Sequence, residues 1–122
     1  MLQLRSIIKP ADNCGARSVM IMHVYKGSSH KQAGIGDIVL AVVKDATPNG
    51  MVKKKEKLRM IIVRTRKEIG RVDGSYIRFS DNAAVTIDSQ NNPRGTRIFG
   101  PIAREIKDAG FNKIASLAKE VY

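Results

Sequence analysis

Leu58-Arg59-Met60-Ile61-Ile62-Val63-Arg64-Thr65-Arg66 decides the fold: its centre is continuously apolar and its ends are basic. That pattern suits a strand buried in its middle whose ends emerge into a charged surface. Residues 57–66 are thus read as a strand, and two further β-rich runs of strand length precede them, residues 18–25 and 37–45. Clusters of Gly, Pro, Asn and Ser separate the runs. Two turns stand out. Thr47-Pro48-Asn49-Gly50 sets φ with Pro and supplies a Gly able to take positive φ, and Asp73-Gly74 is a hairpin dipeptide between Arg71 and Tyr76.

Beyond the second turn, Ser75-Tyr76-Ile77-Arg78-Phe79 alternates, so Ile77 and Phe79 share one face and Tyr76 and Arg78 the other. Residues 83–88 form one more short strand, and Gln90-Asn91-Asn92-Pro93-Arg94-Gly95 reads as a loop. The character then changes. Gly100-Pro101 opens a helical stretch that Gly110 can close, with Ile102 and Ile106 on one face. Asn112 is the expected cap of a second helix bearing Ile114, Leu117 and Val121 at helical spacing. Helices this short need to dock on the strands to be stable. The expected fold is mainly β, a small β-barrel over about residues 1–100 with C-terminal helices over about 101–121. With no internal repeat, low-complexity segment or linker, residues 1–122 are read as a single domain.

The 122 residues include 22 Lys and Arg against 11 Asp and Glu, for a formal charge of +11, and 43% are apolar. A core can form from that content without disulfides or metals. No apolar run approaches the roughly 18 residues of a membrane span, and Met1-Leu2-Gln3-Leu4 begins no signal-peptide apolar region. Cys14 is the sole cysteine, and with His23 and His30 it is too little for a structural zinc site. A reducing, cytoplasmic compartment is expected, with no cofactor and no metal.

The charge is concentrated. The first forty residues carry a net +3, the middle forty +7 and the last forty-two +1. Such a field attracts a polyanion, and nucleic acid is the leading partner. An anionic membrane fits less well, because it calls for a basic amphipathic helix where the basic third reads as strands. Lys53-Lys54-Lys55 follows the Pro-Asn-Gly turn, and Arg64, Arg66, Lys67 and Arg71 lead into the Asp73-Gly74 hairpin. Loops on a rigid barrel can follow a phosphate backbone. There is no Trp, and Phe79, Phe99 and Phe111 are read as core, which leaves Tyr76 as the stacking candidate. Structured RNA, recognised by shape and phosphate, fits better than a sequence-read single strand.

Catalytic constellations are missing from the sequence. Gly34-Ile35-Gly36-Asp37 lacks the third Gly of a dinucleotide motif and reads as a turn entering a strand. Cys14 has no evident base and orienting group, and the acidic residues, Asp81 and Asp88 among them, follow no metal-binding motif. A free single-strand-binding regulator and an RNA-processing enzyme are the competing readings. The scarcity of exposed aromatics counts against the first, and the absent acid, base and metal set against the second.

Five segments are more specific than composition. Ala11-Asp12-Asn13-Cys14-Gly15-Ala16-Arg17, Ile35-Gly36-Asp37, Val63-Arg64-Thr65, Asp73-Gly74-Ser75-Tyr76-Ile77-Arg78-Phe79 with Asp81-Asn82-Ala83, and Gly95-Thr96-Arg97-Ile98-Phe99-Gly100-Pro101-Ile102-Ala103-Arg104-Glu105 occur in this order. The chain resembles the large-subunit ribosomal protein fourteen family, of bacterial or organellar type, from about residue 2 to 121. The resemblance implies a five-stranded β-barrel with a projecting β-ribbon and short C-terminal helices, and no catalytic activity. It implies binding to large-subunit ribosomal RNA and an intersubunit bridge to small-subunit RNA during translation. Implied neighbours are large-subunit ribosomal proteins three and nineteen. By motif, Arg17, Lys44, Lys53, Lys54, Arg64, Arg66, Lys67, Arg71 and Arg78 are the implied RNA contacts. Thr96 and Arg97, with Lys113 and Ser116, match the surface on which the ribosomal silencing factor docks.

The chain also departs from the family pattern. Residues 25–33 keep one Gly of a usual pair and lose a Tyr. Lys55-Glu56 replaces a Lys-Gly type turn, where a non-Gly residue at positive φ is disfavoured. Gly70 and Val72 stand where basic residues are common, making the ribbon less cationic. Lys119 fills a slot that often holds Pro, which would let the last helix run further. Cys14 sits at a turn position typical of small residues and is read as structural.

Overall fold

The computed structural model describes residues 2–25, 32–48 and 50–122. Its strands are β1 (Leu2–Gln3), β2 (Ile7–Pro10), β3 (Ala16–Val24), β4 (Gln32–Ala33), β5 (Ile38–Ala46), β6 (Lys57–Arg64), β7 (Ile69–Gly70), β8 (Tyr76–Ile77) and β9 (Ala83–Ile87). Two helices follow, α1 (Glu105–Asp108) and α2 (Asn112–Leu117). Five strands close a barrel in the order β2-β3-β5-β6-β9, with β7-β8 forming a separate two-stranded ribbon and β1-β4 another small sheet. Barrel neighbours run antiparallel except at the β2-β9 seam, where Lys9 pairs with Ala83 and Pro10 with Ala84 in parallel. Closure leaves the barrel no free strand edge.

The run 60–63 is buried on both faces, as its uninterrupted apolarity foretells. Leu58, Met60 and Ile62 point into the barrel, where they meet Val19, Ile21, Val39, Ala41 and Val43. Ile61 and Val63 point outward with Val85 and Ile87 of β9, and there Ile102, Ile106, Phe111 and Ile114 cover them. The C-terminal segment is thus the lid of a second core on the outside of β6 and β9. Burying a large aliphatic side chain contributes about 1.5–3 kcal/mol, which is what holds helices too short to persist alone.

Several boundaries differ from expectation, and each has a physical cause. The helix expected from Pro101 begins only at Glu105, because the backbone before it is used elsewhere. The Ala103 N–H donates to Val63 O, the Ile102 N–H to Glu120 O, and the Tyr122 N–H to Ile102 O. Ile102 therefore bridges Val121 in parallel pairing, and Ile102 and Ile106 are both buried without sharing a helix. α2 ends at Leu117, with Ala118 extended (φ −80°, ψ 139°), so Val121 lies outside it and Lys119 does not prolong it. Phe111, not Asn112, occupies the cap position, with no side-chain cap bond. The strand expected over 57–66 stops at Arg64 after a bulge between Ile62 and Arg64.

The expected reversals are present. The Gly50 N–H donates to Thr47 O, with Asn49 outside the described residues. The ribbon turns through Val72, Asp73 and Gly74: the Gly74 N–H donates to Arg71 O, the Arg71 N–H to Ser75 O, and Gly74 takes φ +89°. Asp73 accepts from the Ser75 amide and hydroxyl, and those bonds hold its carboxyl below the usual aspartate range. Gly34-Ile35-Gly36-Asp37 is a turn into β5, with the Gly34 N–H on Asp37 Oδ2. The altered loop over 25–33 falls largely on residues 26–31, outside the described residues.

At residues 53–56 the non-Gly substitution is accommodated, not avoided. Lys55 adopts φ +71°, the Glu56 N–H donates to Lys53 O, and the Lys53 N–H to Glu56 Oε2. A left-handed non-Gly residue costs roughly 1–2 kcal/mol, partly offset by the entropy Gly loses on folding. Lys55→Gly is therefore expected to raise stability by about 0.5–1 kcal/mol in urea denaturation. A destabilised variant would show that the Lys55 side chain contributes more than its backbone costs.

Candidate nucleic-acid interface

The expected RNA-contacting cations divide into two exposed groups and two internally held arginines. At one end of the β3-β5 ladder are Arg17 and Lys44, both exposed, near the turn that carries Lys53 and Lys54. The backbone joins them: the Lys55 N–H donates to Val43 O, and the Val43 N–H to Glu56 O. At the second site, the Arg66 N–H donates to Asn82 Oδ1 at 2.9 Å and the Lys9 N–H to Asn82 O at 3.3 Å. The Phe79 N–H donates to Thr65 O and the Thr65 hydroxyl to Lys67 O, so Lys67 and Arg78 adjoin the same group. Each group is a set of exposed cations on a closed barrel, the kind of arrangement that can neutralise phosphates without reading bases.

Arg64 is placed differently from the other cations. It is 6% exposed, and its guanidinium is held by the protein at both terminal nitrogens. Nε lies 2.9 Å from Asp81 Oδ1, Nη2 donates to Asp81 Oδ2 at 3.2 Å, and Nη1 donates to Phe99 O at 2.8 Å and Pro101 O at 3.2 Å. The bulge before it turns its side chain under the C-terminal segment instead of into solvent. Gly100, at φ +83°, arches over it, and a Cβ there would run into the guanidinium. Arg64 thus fastens the 99–101 segment to the barrel. Arg71 is tied down as well. Its Nε donates to Glu105 Oε1 at 2.7 Å and Nη2 to Glu105 Oε2 at 3.3 Å, which links the ribbon to α1.

Of the residues matched to the silencing-factor surface, Thr96 and Arg97 are held by one side chain. Asn13 accepts from the Thr96 and Arg97 amides at 2.9 and 3.2 Å through Oδ1 and donates from Nδ2 to Thr96 Oγ1 at 2.9 Å. Thr96 and Arg97 are exposed, and they share a crevice of about 200 Å³ with Leu117 and Lys119 at the end of α2. Lys113 and Ser116 are exposed on α2, where the Ser116 hydroxyl donates to Lys113 O.

Two surface residues escaped the sequence reading. Lys9 precedes a buried Pro and carries no local signal, and only the parallel seam brings it beside Arg66. Phe99, expected in the core, is 51% exposed, with the Arg97 guanidinium carbon 5.9 Å from its ring centroid. Phe111 is buried as expected, and Tyr76 is 74% exposed on the ribbon.

Cys14 and His23 do not meet as nucleophile and base. Cys14 is buried, and burial, with the Asp12 carboxylate nearby, pushes its thiol up, which makes it inert. His23 lies on the outer face of β3, edge-on to Tyr25 at 4.9 Å. Asp12 accepts the Thr86 N–H at 3.0 Å, a bond that crosses from the 11–14 turn to β9. Among the described residues no three His, Cys, Asp or Glu side chains gather into a metal site, and no helix is long and apolar enough to cross a membrane.

The family model for ribosomal protein L14p/L23e matches residues 1–122, the whole length over which the barrel, the ribbon and the C-terminal lid are laid out. The chain belongs to the ribosomal protein L14p/L23e family and is a structural constituent of the large ribosomal subunit.

Proposed function

We propose that this protein binds large-subunit ribosomal RNA through its two exposed cation groups and helps form an intersubunit bridge to small-subunit RNA. The observation that carries the reading is the gathering of Arg17, Lys44, Lys53 and Lys54 at one site and Arg66, Lys67 and Arg78 at another, in a ribosomal family chain of charge +11. Arg64 and Arg71 act indirectly, by holding the 99–101 segment and the ribbon in place. The role is positional and electrostatic, without catalysis. Large-subunit ribosomal proteins three and nineteen are the proposed neighbours. The Thr96, Arg97, Lys113 and Ser116 surface is the proposed docking place for the ribosomal silencing factor. The compartment is the cytoplasm, or the organelle if the ribosome is organellar.

The test is a tagged copy expressed in its source cells and followed through a sucrose gradient, before and after a high-salt wash. Retention on the large subunit after the wash is expected of a component held by many phosphate contacts. Stripping into the light fractions would overturn the integral role and favour a free RNA-binding regulator.

A further inference from the structure

A crevice of about 360 Å³ opens between the start of the β2-β9 seam, residues 79–81 and the 99–101 segment. Phe79 and Phe99 line it, and Phe99 is half exposed although its neighbours Ile98 and Ile102 are buried. Such a ring offers a sequence-tolerant surface for a base. The floor is polar. Asp81 lines it with a side chain 37% exposed, and although both oxygens hold Arg64, a carboxylate has further acceptor capacity. Arg64 also lines the crevice, but its charge is paired with Asp81 and its Nη1 is taken by Phe99 O and Pro101 O. Unpaired positive charge in the lining is on Lys9, and Arg66 is its neighbour through Asn82, to which the backbone N–H of each donates.

This distribution orients a ligand. A phosphate gains little from the neutral Arg64–Asp81 pair and is attracted by Lys9 and Arg66, whereas an exocyclic amine can donate to Asp81 and a flat ring can stack on Phe99. We propose that the crevice holds one unstacked nucleotide whose base carries an exocyclic amine, with the base against Phe99, the amine on Asp81 and the phosphate between Lys9 and Arg66. The inference rests on the RNA-binding reading and deepens it: the protein grips one extruded nucleotide in addition to neutralising phosphates. Uracil, which has no exocyclic amine, is disfavoured at this place.

The experiment is a titration of the ¹⁵N-labelled full chain with cytidine 5′-monophosphate, uridine 5′-monophosphate and inorganic phosphate, read by amide chemical shifts. The cytidine nucleotide should saturate with a dissociation constant on the order of 1 mM, shifting the amides of Ser80, Asp81, Phe99 and Gly100. The uridine nucleotide should bind roughly tenfold more weakly, for want of a hydrogen bond to a charged acceptor. Phe99→Leu keeps aliphatic bulk at an exposed position and should weaken the cytidine nucleotide roughly tenfold, with amide dispersion unchanged. Lys9→Ala should weaken both nucleotides alike. Three results would overturn the proposal: shifts reproduced by inorganic phosphate alone, equal affinity for the two nucleotides, or indifference to Phe99→Leu. Binding of the same samples to large-subunit RNA fragments, measured separately, distinguishes failure of the crevice from failure of the RNA reading.

Discussion

Arg64→Ala is expected to lower stability by about 2–4 kcal/mol, somewhat below the roughly 3–5 kcal/mol typical of breaking a fully buried ion pair, because the Asp81 carboxylate is partly solvated. The loss has two parts. Asp81 keeps its charge without its partner, and the carbonyls of Phe99 and Pro101 lose the donor that joins them to the barrel. In calorimetry this corresponds to a fall of roughly 10 °C in Tm for a chain of this size. Arg64→Lys should recover only a small share, since one ammonium cannot span a carboxylate and two carbonyls as the planar fork does. The 99–101 amides should also exchange faster, as the segment is freed. A Tm within about 2 °C of the parent would mean that the apolar packing of Ile102 and Ile106 holds the segment unaided.

Neutralising the exposed cations has the second large effect, on affinity and not on stability. The triple variant Lys53→Ala, Lys54→Ala and Arg66→Ala is expected to reduce the slope of log K against log salt by roughly 2–3, at about 0.7–0.9 for each phosphate no longer neutralised. Affinity for large-subunit RNA should fall by roughly two orders of magnitude or more at low salt, while Tm stays within about 2 °C because all three side chains are exposed. Filter binding over a salt series supplies both the slope and the affinity. An unchanged slope would remove these cations from the interface. A reduced Tm would instead show that they act through the fold.

Much of this architecture is legible in the sequence because its physics is local. The run 60–63 declares a strand buried on both faces, the Asp73-Gly74 dipeptide a hairpin, and the alternation of 76–79 an exposed and a half-buried side, with Tyr76 and Arg78 outward. β1, β2 and β4 are only two to four residues long and owe their existence to distant partners, so no window around them carries a period. Arg64 is the instructive failure. Between Val63 and Thr65 it looks like a strand end entering water, and only the return of the chain 35 residues later, to place Phe99 O on its guanidinium, makes it interior. Phe99 errs in the other direction, since an aromatic beside Ile98 is expected to follow it into the core. The helix start failed because Pro101 is compatible with an extended segment as well as with a first turn. The outer cations remained legible because nothing folds back over them.

The parallel β2-β9 seam bears on how the chain comes off the ribosome that makes it. Lys9 and Pro10 cannot find Ala83 and Ala84 until more than seventy residues have been synthesised, and the outer faces of β6 and β9 stay bare until Ile114 has been added. The ribbon, closed by a three-residue loop, can form within microseconds of its emergence, whereas barrel closure must await a contact of high sequence separation. A nascent chain therefore displays a sticky, cationic, half-built sheet until residues as far as Ile114 have cleared the exit. Truncation within the final helix should accordingly turn a structural component into a substrate for proteolysis.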